Sequence, residues 1–178
     1  MQLHTERLLL RDITLDDQQD IFNYRSDAEA NKFQGWIPET LEDVKNFIQR
    51  NSKEFNQPES WYQLLITDKE TKAVIGDIGV HFIGEENVQA EFGITINTSF
   101  QGKGYASEAV KAVIGHLFND LHKHRITASV DPDNTPSIQL MERIGLRKEG
   151  HFVKSLFWKN NWVDDVIYAV LREEWPAK

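Results

Sequence analysis

The sequence predicts a single domain of the α/β (α+β) class, and three observations support this prediction. The chain has 178 residues, enough for one substantial core but too few for two comfortable domains. Extended apolar segments and segments with apolar residues at helical spacing follow each other in the order β-α-α-β-β-β-α-β-α-β-β. The sequence contains no repeats, low-complexity tracts or linkers, so we expect residues 1–178 to form one domain.

The first half of the chain predicts one strand, two helices and three further strands. Residues Leu3–Ile13 are expected to form the first strand because they contain an apolar run. Thr14 is suited to cap the first helix, and Thr40, with Asp43 after it, is suited to cap the second. The segment between these helices is irregular and aromatic. The next three strands are predicted at Trp61–Thr67, Ala73–Ile83 and Val88–Asn97.

The second half predicts a long helix, a strand, a shorter helix and two final strands. The long helix carries apolar residues at helical spacing from Ala106 to Leu121. The next helix is expected to begin near Pro136 and to stop at Gly145, because proline suits a first helical position and glycine suits a helix end. The remaining strands are predicted at Arg125–Val130, Arg147–Trp158 and Val163–Leu171.

The loop Phe100–Ser107, between a strand and the long helix, is the most informative segment of the chain. A tight turn into a helix exposes unpaired backbone N–H groups at the positive end of the helix dipole. Gly102 and Gly104 lack side chains that would block close approach, and Lys103 adds a cation. The loop therefore predicts a site for an anion, most plausibly a phosphate group. A glycine turn that merely admits the strand to the helix is the alternative interpretation.

Three kinds of phosphate-binding loop place glycines before a helix, and the residues distinguish them. In a P-loop a Ser or Thr hydroxyl follows the lysine and binds magnesium, but here a glycine follows Lys103. A dinucleotide-binding loop requires Gly or Ala where this chain has Ser107, and it opens a βαβ unit rather than following hairpins. The remaining pattern is the pyrophosphate loop Gln/Arg-x-x-Gly-x-Gly/Ala, which Gln101, Gly104 and Ala106 match.

This pyrophosphate pattern resembles that of the GNAT superfamily of acyl-CoA-dependent N-acyltransferases, and the resemblance covers essentially the whole chain. Asn134–Ser137, followed by Ile144–Leu146, resembles the Asn-x-x-Ser/Ala…Gly-Phe segment of the family. The opening Thr5–Arg11 and the closing Asp165–Tyr168 and Glu174–Trp175 look like the RimJ/RimL branch, which includes N-terminal acetyltransferases of ribosomal proteins. The resemblance implies a mixed, mostly antiparallel sheet that is splayed in its middle and flanked by helices.

The resemblance also implies acetyl-CoA as cosubstrate, and the sequence shows no metal-ligand pattern, so no metal is expected. The pyrophosphate is expected on backbone N–H groups of the glycine loop, and the pantetheine arm beside Gly93–Ile96, where its amides bind like an extra strand. Asn134 resembles a residue that contacts this arm, although it also suits a turn or a helix cap. The expected cofactor-binding residues are Ile94, Thr95, Ile96, Gln101, Gly102, Lys103, Gly104, Tyr105, Ala106, Ser107 and Asn134.

Acetyl transfer requires a base for the amine and an acid for the departing thiolate. Many GNAT enzymes use a tyrosine of the late helix as the acid, but the corresponding residue here is Met141. Ser137, one turn earlier, is the expected replacement, with helix capping as its alternative role. Glu91 is the expected base because it interrupts an apolar strand near the predicted splay, unless it faces outward. His81 and Tyr168 are weaker candidates for the base.

The acceptor amine is expected to bind among the aromatic residues Phe33, Trp36 and Trp61, at least one of which is expected to belong to the core instead. Deprotonating a lysine amine at pH 7 costs about 4–5 kcal/mol, whereas an α-amino group costs only about 1 kcal/mol. A site without a tyrosine acid therefore favours an α-amine, such as a protein N-terminus. The first two predicted helices and the aromatic loop between them show no clear acidic cluster, which makes a polyamine acceptor less attractive.

Three other functions remain open on the sequence. The enzyme could instead acetylate a small-molecule amine, such as an antibiotic or an amino-acid derivative. The chain could also be a noncatalytic sensor that binds acyl-CoA without transferring the acyl group. A nucleotide-binding regulator would use the same glycine loop for ATP or NAD, and the missing magnesium ligand and the missing βαβ unit count against it.

Composition excludes several further classes of function. The chain has no cysteine, so it has neither disulfides nor a thiol nucleophile, and its histidines show no metal-ligand spacing. A formal net charge of −8 argues against nucleic-acid binding. No membrane span or signal peptide is recognisable, so a cytoplasmic protein is expected. The late hairpin Phe157–Val163 is a conjectural contact for a homodimer.

Overall fold

The computed structural model describes residues 1–176 and follows the predicted order of elements with one additional strand. The strands are β1 (Gln2–His4), β2 (Leu8–Asp12), β3 (Ser60–Asp68), β4 (Val74–Ile83), β5 (Gln89–Ile96), β6 (Arg125–Val130), β7 (Arg147–Trp158) and β8 (Asn161–Leu171). The helices are α1 (Gln18–Arg25), α2 (Leu41–Arg50), α3 (Tyr105–Asn119) and α4 (Thr135–Ile144). None of these helices is long and apolar enough to cross a membrane.

The prediction of one continuous strand at Leu3–Ile13 is wrong, because the chain turns between β1 and β2. The two strands pair antiparallel, with Leu3 opposite Leu10. Thr5 closes the turn: its backbone N–H donates to the Leu8 carbonyl oxygen at 3.0 Å, and its Oγ1 accepts from the Leu8 N–H at 2.8 Å. The apolar run therefore belongs to β2 alone.

The predicted ends of two helices are confirmed by their capping geometry. Thr40 Oγ1 accepts from the Asp43 N–H at 3.2 Å, and the Asp43 carboxylate accepts from the Thr40 N–H at 2.8 Å, which begins α2 with a reciprocal cap. Gly145 follows α4 with a φ of 94°, a left-handed conformation that glycine adopts without strain. Both ends depend on neighbouring residues alone, which explains why the sequence predicted them.

All eight strands form one sheet in the order β1-β2-β3-β4-β5-β6-β8-β7. Every neighbouring pair is antiparallel except β5 and β6, which run parallel and pair only where Gln89–Glu91 lie beside Arg125–Thr127. Beyond these residues β5 continues to Ile96 and β6 to Val130 without pairing to each other. The mixed, mostly antiparallel sheet with a splay in its middle is therefore confirmed.

Helices cover both faces of the sheet. Helices α3 and α4 pack on one face against a large core that includes Phe92 and Ile126, and α1 and α2 pack on the other face around Ile21 and Val44. Side chains alternate along a strand, so Ala90 and Phe92 of β5 point toward α3, whereas Glu91, Gly93 and Thr95 point to the face of α1 and α2.

The late hairpin of β7 and β8 leaves apolar side chains on the surface. Phe157 and Trp162 are opposite each other in the β7–β8 register, and their rings lie 5.3 Å apart. Both side chains are exposed, as are Phe152 and Val153 of the same edge strand. The homodimer contact at this hairpin stays a prediction, and this exposed apolar surface supports it.

A buried ion pair fastens α1 to the sheet. Arg25 Nε and Nη2 donate to the two carboxylate oxygens of Asp77 on β4 at 2.8 and 2.5 Å, and the Tyr24 hydroxyl donates to the same carboxylate at 2.5 Å. Burial disfavours the charged form of Arg25 and by itself would lower its pKa. The attraction and hydrogen bonds of the Asp77 carboxylate outweigh this effect, so the pKa of the guanidinium is raised. The guanidinium also lies over the rings of Trp36 and Phe47, which stack on each other at 4.3 Å.

We expect Asp77→Ala to lower the free energy of unfolding by about 3–5 kcal/mol, because it leaves Arg25 buried without its counter-ion. The control is Glu29→Ala, which removes an exposed pair with Lys32 and should change stability little. Urea unfolding followed by tryptophan fluorescence measures both variants. Equal losses in the two variants would contradict a central role for the buried pair.

Candidate active site

A cleft of about 400 Å³ opens where β5 and β6 separate, and we call it the splay cleft. It brings together all the expected cofactor-binding residues except Lys103, and it also includes Phe33 and Ser137. The expected residues that line it are Ile94, Thr95, Ile96, Gln101, Gly102, Gly104, Tyr105, Ala106, Ser107 and Asn134. The cleft thus runs from the free end of β5, past the glycine loop, to the start of α4.

The start of α3 presents several hydrogen-bond donors to this cleft. Gly102 and Gly104 have φ angles of 73° and 82°, a left-handed conformation that turns the chain sharply into the helix. The first helical hydrogen bond runs from the Glu108 N–H to the Gly104 carbonyl oxygen, so the preceding N–H groups have no helical acceptor. Ser107 Oγ is also buried and has no hydrogen-bond partner within residues 1–176. These donors fit an anionic group such as the pyrophosphate of acetyl-CoA.

Lys103 does not line the splay cleft, contrary to its expected place among the cofactor-binding residues. Its Nζ donates to the Ser99 carbonyl oxygen at 2.9 Å and lies over the ring of Phe100. The lysine therefore braces the loop from outside in this conformation.

Arg7 holds the glycine loop in place, a role that the sequence analysis missed. Its Nη1 donates to the Lys103 carbonyl oxygen at 3.0 Å, and its Nε donates to Glu108 Oε2 in α3 at 2.7 Å. Thr5 Oγ1 donates to the same Glu108 carboxylate at 2.5 Å. The segment Thr5–Arg11 was recognised only as part of a family resemblance, and its physical role depends on contacts with residues about a hundred positions away.

At the other side of the cleft, Asn134 begins α4. Its Oδ1 accepts from the Ser137 N–H at 3.3 Å, which is the capping role that we considered as an alternative. Both residues still line the cleft, so capping positions them there. Met141, which replaces the expected tyrosine, is buried in the core instead of lining the cleft.

A second pocket, of about 700 Å³, lies on the face of the sheet that α1 and α2 cover. Trp36 and Trp61 line it, whereas Phe33 lines the splay cleft, so the structure divides the aromatic residues that we expected to bind the acceptor. Two residues line both spaces: Gln34 and Thr95. Gln34 Nε2 donates to the Ile94 carbonyl oxygen at 3.3 Å and its Oε1 accepts from Thr95 Oγ1 at 2.9 Å, so the end of β5 forms a shared wall.

Glu91 occupies the point at which β5 and β6 part, since it is the last residue of β5 that pairs with β6. It is opposite His81 of β4, which is opposite Trp61 of β3, and the His81 and Trp61 rings stack at 4.8 Å. Burial raises the pKa of Glu91, His81 opposes this shift, and Asp165 adds to it. Glu91 itself lines neither pocket, but it lies two residues from Gly93, which lines the second pocket. A carboxyl group with a raised pKa beside such a space is suited to proton transfer.

Tyr168 is placed far less favourably for catalysis. It is buried in the core on the face of α3 and α4, and its hydroxyl donates to Glu142 Oε1 at 3.5 Å. Like Glu91, Tyr168 and His81 line neither pocket, so the case against Tyr168 is its burial in the core. Within the described residues, no group of three or more histidine, aspartate or glutamate side chains is arranged to hold a metal ion.

Comparison with solved structures places this fold among acetyltransferases. The crystal structure of an acetyltransferase of the GNAT family from Bacillus anthracis superposes with a TM-score of 0.88 at 34% identity, over 98% of this chain and 100% of that chain. A spermidine N-acetyltransferase from Vibrio cholerae in complex with CoA and spermine superposes with a TM-score of 0.81. It is 23% identical over 96% of this chain and 98% of that chain, so the likeness concerns the fold.

Sequence comparisons agree with this placement. The N-acetyltransferase YnaD of Bacillus subtilis (strain 168), described as uncharacterized, is 36% identical over 98% of this chain and 99% of its own length. The [Ribosomal protein uS5]-alanine N-acetyltransferase of Escherichia coli (strain K12) is 31% identical over 68% of this chain and 63% of its own length, which is consistent with the RimJ/RimL-like branch. Residues 7–147 match the family model described as Acetyltransferase (GNAT) domain. The chain therefore belongs to the GNAT acetyltransferase family and is an acetyl-transfer enzyme.

Proposed function

We propose that the protein transfers the acetyl group of acetyl-CoA to the α-amine of a protein N-terminus. The observation that carries this proposal is the meeting of two pockets at the end of β5, with Glu91 where β5 and β6 part. The splay cleft has the donors for a phosphate-bearing cofactor, and the second pocket has room for an acceptor. Shared lining by Gln34 and Thr95 brings the two ligands to one strand.

Acetyl-CoA supplies the activated thioester, and the residues of this chain bind and orient it. The N–H groups at the start of α3 and the Ser107 hydroxyl hold the pyrophosphate. Beyond Glu91, the edge of β5 that faces β6 has no strand partner. The side-chain amides of Gln34 and Gln101 donate to the Ile94 and Ile96 carbonyl oxygens, so the backbone groups that remain without a partner on this edge are the ones available to the amides of the pantetheine arm. A backbone N–H near Ile94–Ile96 polarises the thioester carbonyl.

Proton transfer is assigned to Glu91 and Ser137. Glu91 accepts a proton from the acceptor amine, directly or through a water molecule, and the amine nitrogen forms a bond to the thioester carbon. The carbon–sulfur bond then breaks, and the thiolate takes a proton from the Ser137 hydroxyl, which lines the splay cleft. Ser137 regains a proton through solvent water, and protonated Glu91 releases the proton that it took from the amine. The products are the N-acetylated acceptor and free CoA.

The properties of the second pocket and of the amine both favour an α-amine. The ordinary pKa of an α-amino group is about 7.7–8.0, which is closer than that of a lysine amine to the pKa of a carboxylate that burial raises, so the proton transfer costs less. The relative from Escherichia coli that acts on a ribosomal-protein alanine supports this class of acceptor. Among the described residues that line the pocket, the charged ones are Arg25 and Arg50, so a polyamine would find no second carboxylate there besides the proposed base Glu91.

A small-molecule monoamine is the second candidate acceptor. The stacked rings of Trp36 and Phe47 line the pocket together with Trp61, and they offer aromatic surface to a compact apolar ligand. The same catalytic groups would serve such an acceptor, so the two candidates differ only in what fills the pocket.

The glycine loop generates a prediction about cofactor affinity. Replacing Gly104 with alanine places a side chain at a φ of 82°, which costs about 1–2 kcal/mol. Without ligand the loop of the variant relieves this strain by leaving the left-handed conformation, and it must recover that conformation to bind acetyl-CoA. We expect acetyl-CoA affinity to fall by about 5- to 30-fold in Gly104→Ala, measured by isothermal titration. Gly115→Ala, in the interior of α3, is the control and should retain wild-type affinity. Equal affinities in both variants would argue against binding at this loop.

Glu91→Gln should lower kcat by about 10²- to 10⁴-fold while leaving acetyl-CoA affinity intact. In the wild type, Glu91 must be ionised to act as a base, so kcat/KM rises with pH through a pKa that burial holds above its usual range. With a strongly basic amine, both Glu91 and the amine must lose a proton at low pH, so log kcat/KM should rise with a slope of about 2 per pH unit. Above the pKa of Glu91 only the amine still titrates, and the slope should decrease to about 1. In the variant the slope should be about 1 throughout. Glu86→Gln, in the exposed β4–β5 turn, should retain the wild-type profile.

The acceptor class is tested with a matched panel: peptides with a free N-terminal alanine, the same peptides blocked at the N-terminus but carrying an internal lysine, phenethylamine, and spermidine. We expect the free α-amine to give the highest kcat/KM because it deprotonates most readily. Mass spectrometry locates the acetyl group. Acetylation of spermidine in preference to the free peptides would contradict the proposed acceptor.

A further inference from the structure

Three residues in register across neighbouring strands form the floor of the second pocket. Gln63 of β3 is opposite Gly79 of β4, which is opposite Gly93 of β5. All three line the pocket. We call this row the glycine shelf. The next row on the same face contains Trp61, His81 and Glu91, because residues two apart on a strand point to the same face.

Gln63 lies across this shelf with an unused hydrogen-bond acceptor. A Cβ atom at residue 79 would lie 2.5 Å from Gln63 Nε2, so only glycine there leaves room for the carboxamide. Gln63 Oε1 is buried and has no hydrogen-bond partner within residues 1–176. Leaving such an atom unpaired costs about 1–3 kcal/mol, which calls for a donor from outside the described chain.

The other side-chain amides in this pocket do not share this property. Gln34 Oε1 accepts from Thr95, Gln57 Oε1 accepts from Ser52, and Asn51 Oδ1 accepts from the backbone N–H of Gln63 itself. The bond from Asn51 fixes the main chain of Gln63 but leaves its carboxamide oxygen unpaired. Gln63 is therefore the amide of this set whose carbonyl oxygen has no hydrogen-bond partner within the described residues.

The space above Gly93 is open and adjoins both Gln63 and the base. A Cβ atom built on Gly93 would meet no heavy atom within 4 Å. Gly93 lies one strand spacing, about 4.8 Å, from Gly79, and two residues, about 6.7 Å, along β5 from Glu91. It also lies beyond the last residue that pairs β5 with β6, so this space adjoins the splay.

We propose that the acceptor's amino group sits over Gly93 and donates a hydrogen bond to Gln63 Oε1. This inference rests on the proposed acetyl transfer and specifies how its acceptor is held. A neutral primary amine has two N–H groups, of which one binds Gln63 and the other faces Glu91 or a bridging water. Its lone pair then points toward the thioester that enters through the splay. The site thus selects primary amines, since a secondary amine cannot make both contacts.

Gln63→Leu removes the hydrogen-bond acceptor and keeps a side chain over Gly79. We expect kcat/KM for alanyl peptides and for phenethylamine to fall by about tenfold, mainly through KM, with acetyl-CoA affinity unchanged within about twofold. Gln63→Glu retains an acceptor oxygen and should recover most of the loss. Gln49→Leu, on the exposed surface of α2 and outside the pocket, is the matched control. Gly93→Ala, which meets no neighbour, should raise the acceptor KM without affecting folding.

N-methylated versions of both acceptors provide an independent test. In the wild type they should react more slowly than the primary amines, and Gln63→Leu should narrow this difference. Wild-type kinetics in Gln63→Leu, or an equal loss in Gln49→Leu, would overturn the inference even if peptides are acetylated. Turnover of phenethylamine but not of peptides, with the Gln63 effect present, would contradict the proposed acceptor and support the inference. No turnover of either amine would overturn both.

Discussion

The site depends on the separation of β5 from β6 after a short parallel pairing. Each strand keeps its antiparallel partner on the other side: β5 remains paired with β4 as far as Ile96, and β6 with β8 as far as Val130. The facing edges therefore part while each strand stays paired on its other side. The edge of β5 beyond Glu91 consequently has backbone groups without strand partners, and a ligand with amides of its own can pair with them. One departure from regular pairing thus creates the cleft, its binding edge and the position of the proposed base.

Two sets of polar contacts hold the walls around this opening, and both act over long sequence distances. Arg7 and Thr5 bind Glu108 and fix the start of α3, so the N–H groups of the glycine loop keep one direction. On the other face, the pair of Arg25 with Asp77 anchors α1 to β4 and supports the aromatic segment that carries Gln34. Organised donors cost little rearrangement when a ligand binds, which is the condition for strong electrostatic stabilisation. In the proposed function, the same contacts that stabilise the fold therefore also hold the ligand-binding groups in place.

The features that the sequence predicted are those that depend on neighbouring residues. The order of the elements, the cap of α2 at Thr40 and the glycine turn before α3 all follow from local patterns. The features that it missed depend on register and on distant contacts. The bracing role of Arg7 depends on Glu108, about a hundred positions away, and the placement of the Gln63 carboxamide depends on Gly79 of the neighbouring strand. The split of Phe33 from Trp36 and Trp61 likewise depends on how the end of β5 divides the two pockets.

The two glycines of the shelf oppose the local preferences of a strand, since glycine in a strand interior is destabilising by about 0.5–1 kcal/mol relative to alanine. Packing explains Gly79, because the Gln63 carboxamide occupies the space that its side chain would need. No contact within the described residues explains Gly93, where a side chain would meet nothing. A residue that weakens its strand without a packing reason is expected at a functional site, where local preference gives way to a ligand. The acceptor site that we propose accounts for both features, since the bare position beside Glu91 leaves room for an amine and the unpaired oxygen of Gln63 leaves it a partner.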